Sequence, residues 1–238
     1  MKIAIIGYGK MGKAIEEIAV SRGHEIILKI NTANLNEFTP ENLSKCDAAI
    51  EFSGPSSAFE NISNCLHAHI PVVSGSTGWL HHWNETTLLC EKLNGTFLYA
   101  SNFSVGVNLF FELNIRLAGL MSKYKEYIPA ITETHHTQKI DAPSGTAITL
   151  AEQIIQANHS LKGWTLFPLE KKDNLTITAI RKDPAPGTHK IIYSSDVDDI
   201  IIEHTAHNRK GFATGAVLAA EYALNHKGIL TMKEVLGI

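Results

Sequence analysis

Apolar residues follow two rhythms along this chain. Through the first hundred residues, short β-branched runs closed by glycine or polar residues alternate with stretches where apolar positions return every three or four residues. The short runs predict strands at Lys2–Ile6, Glu25–Ile30, Ala48–Phe52, Pro71–Ser74 and Thr96–Ala100. The helical spacing of Met11, Ala14, Ile15, Ile18 and Ala19, closed by Arg22-Gly23, predicts a helix over Lys10–Ser21. Two more helices are predicted from Pro55 to Ala68, with proline in the first turn, and from Leu80 to Leu93. Asn31–Lys45 is polar and contains Pro40, so it reads as a loop with at most one short helix. Strands alternating with helices build a parallel sheet.

The rhythm changes after Ser104. A long apolar helix is expected over Val105–Lys123, a strand over Ile128–Thr134 and a helix over Ser144–Asn158. Three strands then follow without an intervening helix, at Leu175–Arg181, His189–Ser194 and Ile200–Thr205, which indicates a mixed or antiparallel sheet in a second domain. Helices at Phe212–Leu224 and Met232–Leu236 end the chain. The fold class is therefore α/β: an N-terminal domain with a Rossmann-like parallel sheet, followed by a C-terminal α+β domain.

Composition narrows the function without naming it. The 238 residues are 44% apolar and 19% charged, an ordinary globular balance, with a formal charge of −3. No Lys/Arg run reaches the length of a nucleic-acid arm, so no nucleic-acid partner is expected. Cys46, Cys65 and Cys90 are odd in number and lack CxxC spacing, which points to a reducing compartment. The opening MKIAIIGYGKMG is too short to span a membrane and lacks a cleavage pattern. A cytoplasmic protein with no membrane partner is expected.

Two segments carry chemistry. Gly7-Tyr8-Gly9-Lys10-Met11-Gly12 is a GxGxxG turn set between a strand and a helix. In that context the first glycine makes the tight turn, the second admits a pyrophosphate, and the third lets helix and strand pack closely. The helix N-terminus then offers N–H groups to the phosphates. The ribose-reading position at the end of the second strand is Asn31. Asn neither repels a 2′-phosphate as Asp or Glu would nor clamps it as Arg would. Either it reads the ribose, with a slight lean to NADPH or to dual use, or it caps its own loop.

The second segment is Glu133-Thr134-His135-His136-Thr137-Gln138-Lys139-Ile140-Asp141-Ala142-Pro143-Ser144-Gly145-Thr146. It combines a histidine able to donate a proton near neutral pH, a lysine, and amides at the start of a helix. Such a set suits a small acidic molecule that is protonated as it reacts. A His-His pair near an Asp could also bind metal, but no third ligand stands at a recognisable spacing, so no metal is expected. Adjacent strand residues face opposite ways, so at most one of His135 and His136 enters a pocket unless the strand ends there.

This segment resembles the E-x-HH-x-x-K-x-DAPSGTA signature of the dihydrodipicolinate reductase family. Gly75-Ser76-Thr77-Gly78-Trp79, Ser101-Asn102-Phe103-Ser104-Val105-Gly106-Val107-Asn108, Glu203-His204 and Phe212-Ala213-Thr214-Gly215-Ala216 resemble further family motifs in order, so the likeness runs nearly end to end. It implies NADPH- and/or NADH-dependent reduction of 4-hydroxy-tetrahydrodipicolinate to tetrahydrodipicolinate, in the diaminopimelate route to lysine. His135 is then the general acid and Lys139 the second catalytic group. His136, Lys139, Ser144, Gly145 and Thr146 hold the dicarboxylate. Gly7, Tyr8, Gly9, Lys10, Met11, Gly12, Asn31, Gly75, Ser76, Thr77, Ala100, Ser101, Asn102 and Phe103 line the cofactor site, with Arg209 near it or near a hinge.

The same likeness implies a dinucleotide-binding domain of residues 1–103 and 208–238. Residues 104–207 then form a substrate-binding domain whose open mixed sheet builds a homotetramer, with hinges near Ser101–Ser104 and His207–Gly211. Two rivals remain. Another two-domain NAD(P) oxidoreductase would lack the HH-x-x-K-x-DAPSGTA segment. A non-catalytic NAD(P)-binding sensor would have lost His135 or Lys139, and both are present.

Overall fold

A computed structural model describes residues 1–208 and 210–238; Arg209 lies outside the described residues. In chain order the elements are β1 (Lys2–Ile6), α1 (Lys10–Ser21), β2 (Glu25–Ile30), α2 (Pro40–Leu43), β3 (Ala48–Glu51), α3 (Ala58–His67), β4 (Val72–Ser74), α4 (Trp83–Lys92) and β5 (Thr96–Tyr99). There follow α5 (Val105–Met121), β6 (Ile128–His135), α6 (Gly145–Ala157), β7 (Gly163–Leu166), β8 (Asn174–Arg181), β9 (Gly187–Ser194), β10 (Asp199–Ala206), α7 (Lys210–Ala223), β11 (Gly228–Leu230) and α8 (Met232–Leu236). Two compact units result, Met1–Val105 with Arg209–Ile238, and Gly106–Asn208.

The first unit is a six-stranded sheet in the order β11-β5-β4-β3-β1-β2, parallel throughout. Its strands are apolar on both faces because both faces are covered. Ile3, Ile5, Ile50 and Leu98 pack toward α1 and α7, while Ala4, Ile6, Leu28 and Ile30 pack with Ile62, Leu66, Trp79 and Cys90 on the other side. Helix α7 is rich in alanine, with Ala213, Ala216, Ala219 and Ala220 all buried. Small side chains let it pack closely: a Cβ added at Gly215 would fall 1.7 Å from the carbonyl oxygen of Phe103, in the segment after β5.

The second unit is a five-stranded mixed sheet in the order β10-β9-β6-β8-β7. The pairs β10–β9 and β9–β6 are antiparallel, and β6–β8 and β8–β7 are parallel. One face carries Ile131, Leu175, Ile177, Ile191 and Tyr193 against Phe110, Leu150 and Ile154 of α5 and α6. The alternate residues of β6 (Ala130, Thr132 and Thr134) are half-buried on the opposite face.

Several expectations are corrected in detail. The helix placed at Pro55 begins at Ala58, because Ser57 and Ala58 first close a turn on the Gly54 carbonyl. The Leu80–Leu93 helix opens as a 3-10 turn over Leu80–His82 before α4. The Asn31–Lys45 loop holds a 3-10 turn at Leu35–Glu37 as well as α2, which Thr39 caps. Strands β7 and β11 were not expected. They are four and three residues long, too short for a period to show, and exist through pairing with β8 and β5.

Candidate active site

In the first unit the glycine turn follows β1. Gly7 has φ +95°, and a Cβ there would lie 2.2 Å from the Phe52 carbonyl oxygen, so only glycine fits. A Cβ at Gly12 would lie 2.7 Å from the Gly7 oxygen, which sets how closely α1 approaches the turn. Gly9 differs: a Cβ there meets no atom of the chain within 4 Å. Helix α1 has no side-chain cap at Gly9 and no acidic residue in its first turn. Its N-terminal positive end is thus left to an anion from outside, and the turn fits a pyrophosphate.

Other expected cofactor residues are placed as follows. Lys10 is exposed, while the Tyr8 hydroxyl donates to Glu16, which also pairs with Lys29 at 2.6 Å. The Asn31 side chain accepts from the Ala33 amide at 2.8 Å, so it caps its loop. Ser76 is buried beside Gly75, and Thr77 is exposed. Ala100 and Asn102 are half-buried, Ser101 is exposed, and Asn102 Oδ1 accepts from the Ser104 amide at 2.9 Å. The Phe103 ring is a core group tilted against Phe52, with ring centroids 5.6 Å apart.

One residue behind this surface had no sequence signal. Glu51, at the end of β3, is wholly buried. It accepts from the Ser53 amide and hydroxyl, from Ser74 Oγ at 2.6 Å and from Ser76 Oγ at 2.9 Å. Those donors tie the loop after β3 to the Gly75–Thr77 loop.

In the second unit β6 ends at His135, so His135 faces inward with Ile131 and Glu133 while His136 starts the turn. Glu133 is fully buried and accepts from the Ser144 amide with both oxygens at 3.1 Å and from Arg181 Nη2 at 3.0 Å. Its Oε2 stands 3.5 Å from His135 Nδ1 and 3.8 Å from His189 Nε2. Strand register explains the cluster: His135 lies opposite Arg181 on β8, and Glu133 opposite His189 on β9.

Lys139 Nζ is held by Asp141 at 2.8 Å. Ser144 is turned inward. Its Oγ caps α6 by accepting from Ala147 N at 3.2 Å and lies 3.2 Å from His189 Nε2. Gly145, with open space around it, begins the helix. Glu133, His135 and His189 do bring three donor atoms within 4.8 Å, a third partner that linear spacing concealed. Glu133, however, is already matched by the Arg181 guanidinium and the N-terminal end of α6, surroundings that disfavour a cation.

Burial pushes the His135 imidazole below its ordinary range; Glu133 opposes this, and Lys139 and Arg181 reinforce it. Burial, with His135 alongside, takes His189 down to about 4. The unfolded chain therefore binds a proton at His189 that the folded chain refuses. This contribution to stability is complete above about pH 6.5 and is lost as pH falls toward about 4, costing about 3 kcal/mol in full. Urea unfolding of His189→Gln is expected to show a shallower loss of stability across that window than the parent chain.

The family model described as dihydrodipicolinate reductase, N-terminus, matches residues 1–103, and the one described as dihydrodipicolinate reductase, C-terminus, matches residues 106–236. The chain belongs to the dihydrodipicolinate reductase family. A 4-hydroxy-tetrahydrodipicolinate reductase of Christiangramia forsetii is 50% identical over 240 residues, covering 99% of this chain and 98% of the relative. The same-named protein of Staphylococcus haemolyticus is 31% identical, covering 94% and 95%. Among solved structures, a dipicolinate-bound dihydrodipicolinate reductase from Paenisporosarcina sp. TG-14 shares the fold with a TM-score of 0.78, at 23% identity and 98% coverage of both chains. Among the described residues of this family member, no helix is long and apolar enough to cross a membrane.

Proposed function

We propose that this chain reduces 4-hydroxy-tetrahydrodipicolinate to tetrahydrodipicolinate with NADPH or NADH. The supporting observation is that a member of this reductase family sets an inward-facing histidine, the Lys139 loop and the N-terminal turn of α6 at one end of β6. The reduced nicotinamide supplies the hydride when bound. Its pyrophosphate is received at Gly7–Gly12, and its remaining contacts come from the loops at Asn31, Gly75–Thr77 and Ala100–Asn102.

The substrate carries two carboxylates. Lys139, His136, Ser144, Gly145 and Thr146 receive them, Ser144 also capping the turn. Lys139 exchanges Asp141 for the substrate carboxylate. In the free protein burial disfavours the charged form of His135. The arriving dianion favours the imidazolium, whose proton the ring system takes up; overall one hydride and one proton are added and the 4-hydroxyl is lost as water. Acid catalysis of this kind contributes roughly 10²–10⁴-fold. The fixed ammonium and helix-terminal amides offset charge that develops during reaction.

The face of the second sheet opposite α5 and α6 is assigned to a homotetramer, and the protein to the cytoplasm. The first unit is the dinucleotide-binding domain and the second the substrate-binding and oligomerisation domain.

Lys139→Ala is expected to lower kcat and raise KM for the dicarboxylate together, each by roughly tenfold or more, because the ammonium serves both binding and reaction. Steady-state kinetics with substrate generated by the preceding synthase test this. The function itself is tested by following oxidation of NADPH and of NADH in that coupled assay. Turnover with at least one supports the reading. Tight cofactor binding without turnover favours a sensor.

A further inference from the structure

We infer that the Glu133–Arg181 ion pair is a positioning unit that sets the tautomer of His135 and the placement of the Lys139 loop together. This rests on the reductase reading above. Glu133 is wholly buried, and such a carboxylate is tolerated only when its lone pairs are filled. Most are filled by parts of the proposed site. Ser144 donates its amide from the first turn of α6, and Arg181 donates Nη2 from β8.

The same guanidinium reaches the other way. It donates to the carbonyl oxygens of Asp141 at 2.6 Å and Lys139 at 3.3 Å, and closes on Ile180 at 2.9 Å. One ion pair therefore joins the end of β6, the Lys139 loop and the turn that opens α6. The Arg181 links are not visible in linear spacing, because Arg181 stands 48 residues from Glu133.

The tautomer follows from the remaining lone pair. His135 Nδ1 is buried and has no hydrogen-bond partner among the described residues. The acceptor it faces is Glu133 Oε2 at 3.5 Å. A neutral imidazole here carries its proton on Nδ1, toward the carboxylate. Nε2 is then the atom that takes up and delivers the reacting proton, as in other histidines oriented by a buried acid.

The test uses the full-length protein with selectively ¹⁵N-labelled histidine, assigning the His135 signals by their loss in His135→Gln. The parent chain is expected to show a protonated Nδ1 and an unprotonated Nε2. Glu133→Gln keeps the volume and an acceptor for Ser144 but removes the charge. It is expected to mix the tautomers and lower kcat roughly 10–100-fold while KM for NADPH stays unchanged. Arg181→Lys keeps the charge but not the fork, and is expected to raise KM for the dicarboxylate roughly tenfold, again without moving KM for NADPH.

An Nε2–H tautomer in the parent chain overturns the inference even if neither variant folds. So does a Glu133→Gln protein with parental tautomer and kcat. A parent chain that shows the Nδ1–H tautomer but never oxidises cofactor sinks the reductase reading instead.

Discussion

His135→Ala is expected to lower kcat by roughly 10²–10⁴-fold while leaving NADPH affinity within about twofold of the parent. The size follows from the one role assigned to the imidazole, proton delivery. The selectivity follows from its place, in the second unit on the inner face of β6, whereas the Gly7–Gly12 turn proposed to receive the pyrophosphate belongs to the first. Truncation also removes a buried side chain beside Glu133, so some loss of stability accompanies it. His135→Gln, which keeps more of the volume, should show the same kinetic defect with less of that loss. Turnover within about threefold of the parent in both variants would remove His135 from the reaction.

The second large effect separates two glycines of one motif. Gly9→Val is expected to abolish measurable binding of NADPH and NADH with a change in unfolding free energy of about 0.5 kcal/mol or less. A Cβ at position 9 meets no atom of the described residues beyond its chain neighbours within 4 Å, so the substitution acts chiefly on what the turn receives. Gly12→Val should instead destabilise the protein by about 3 kcal/mol or more, since its Cβ would press on the Gly7 carbonyl at 2.7 Å and on Ile5. Calorimetric titration with each cofactor, paired with denaturant unfolding, reads both quantities. Retained cofactor binding in Gly9→Val would place the pyrophosphate elsewhere.

Where local chemistry dominates, residue order was enough to read the fold. Helix α1 begins and ends as its apolar stripe and flanking glycines indicate, and β1 and β2 match their β-branched runs. The parallel sheet follows from the alternation of these elements. A boundary differs where a local turn takes up the backbone groups first, as after Pro55, where the Ser57 and Ala58 amides close on the Gly54 carbonyl. Strand β7 has no amphipathic stretch of its own and exists because β8 offers it an edge.

The candidate site divides in the same way. His135, Lys139 and Ser144 lie in one short segment and can be singled out from it. Arg181 and His189 join them only through strand register, which pairs residues 46 and 56 positions apart in the chain. Glu133 is part of the motif, yet its burial, and so its capacity to organise the others, depends on that pairing. Glu51 is equally hidden, because serines from two separate loops are needed to make a buried carboxylate acceptable.

The central claim is that hydride passes from a nicotinamide to a doubly anionic ring. It is tested most directly by running the coupled reaction with NADPH deuterated in turn at each face of C4 and examining the product by mass spectrometry. One deuteron per tetrahydrodipicolinate, delivered from a single face, is the predicted result. Cofactor oxidised with no label in the ring, or product formed without cofactor consumption, would contradict it.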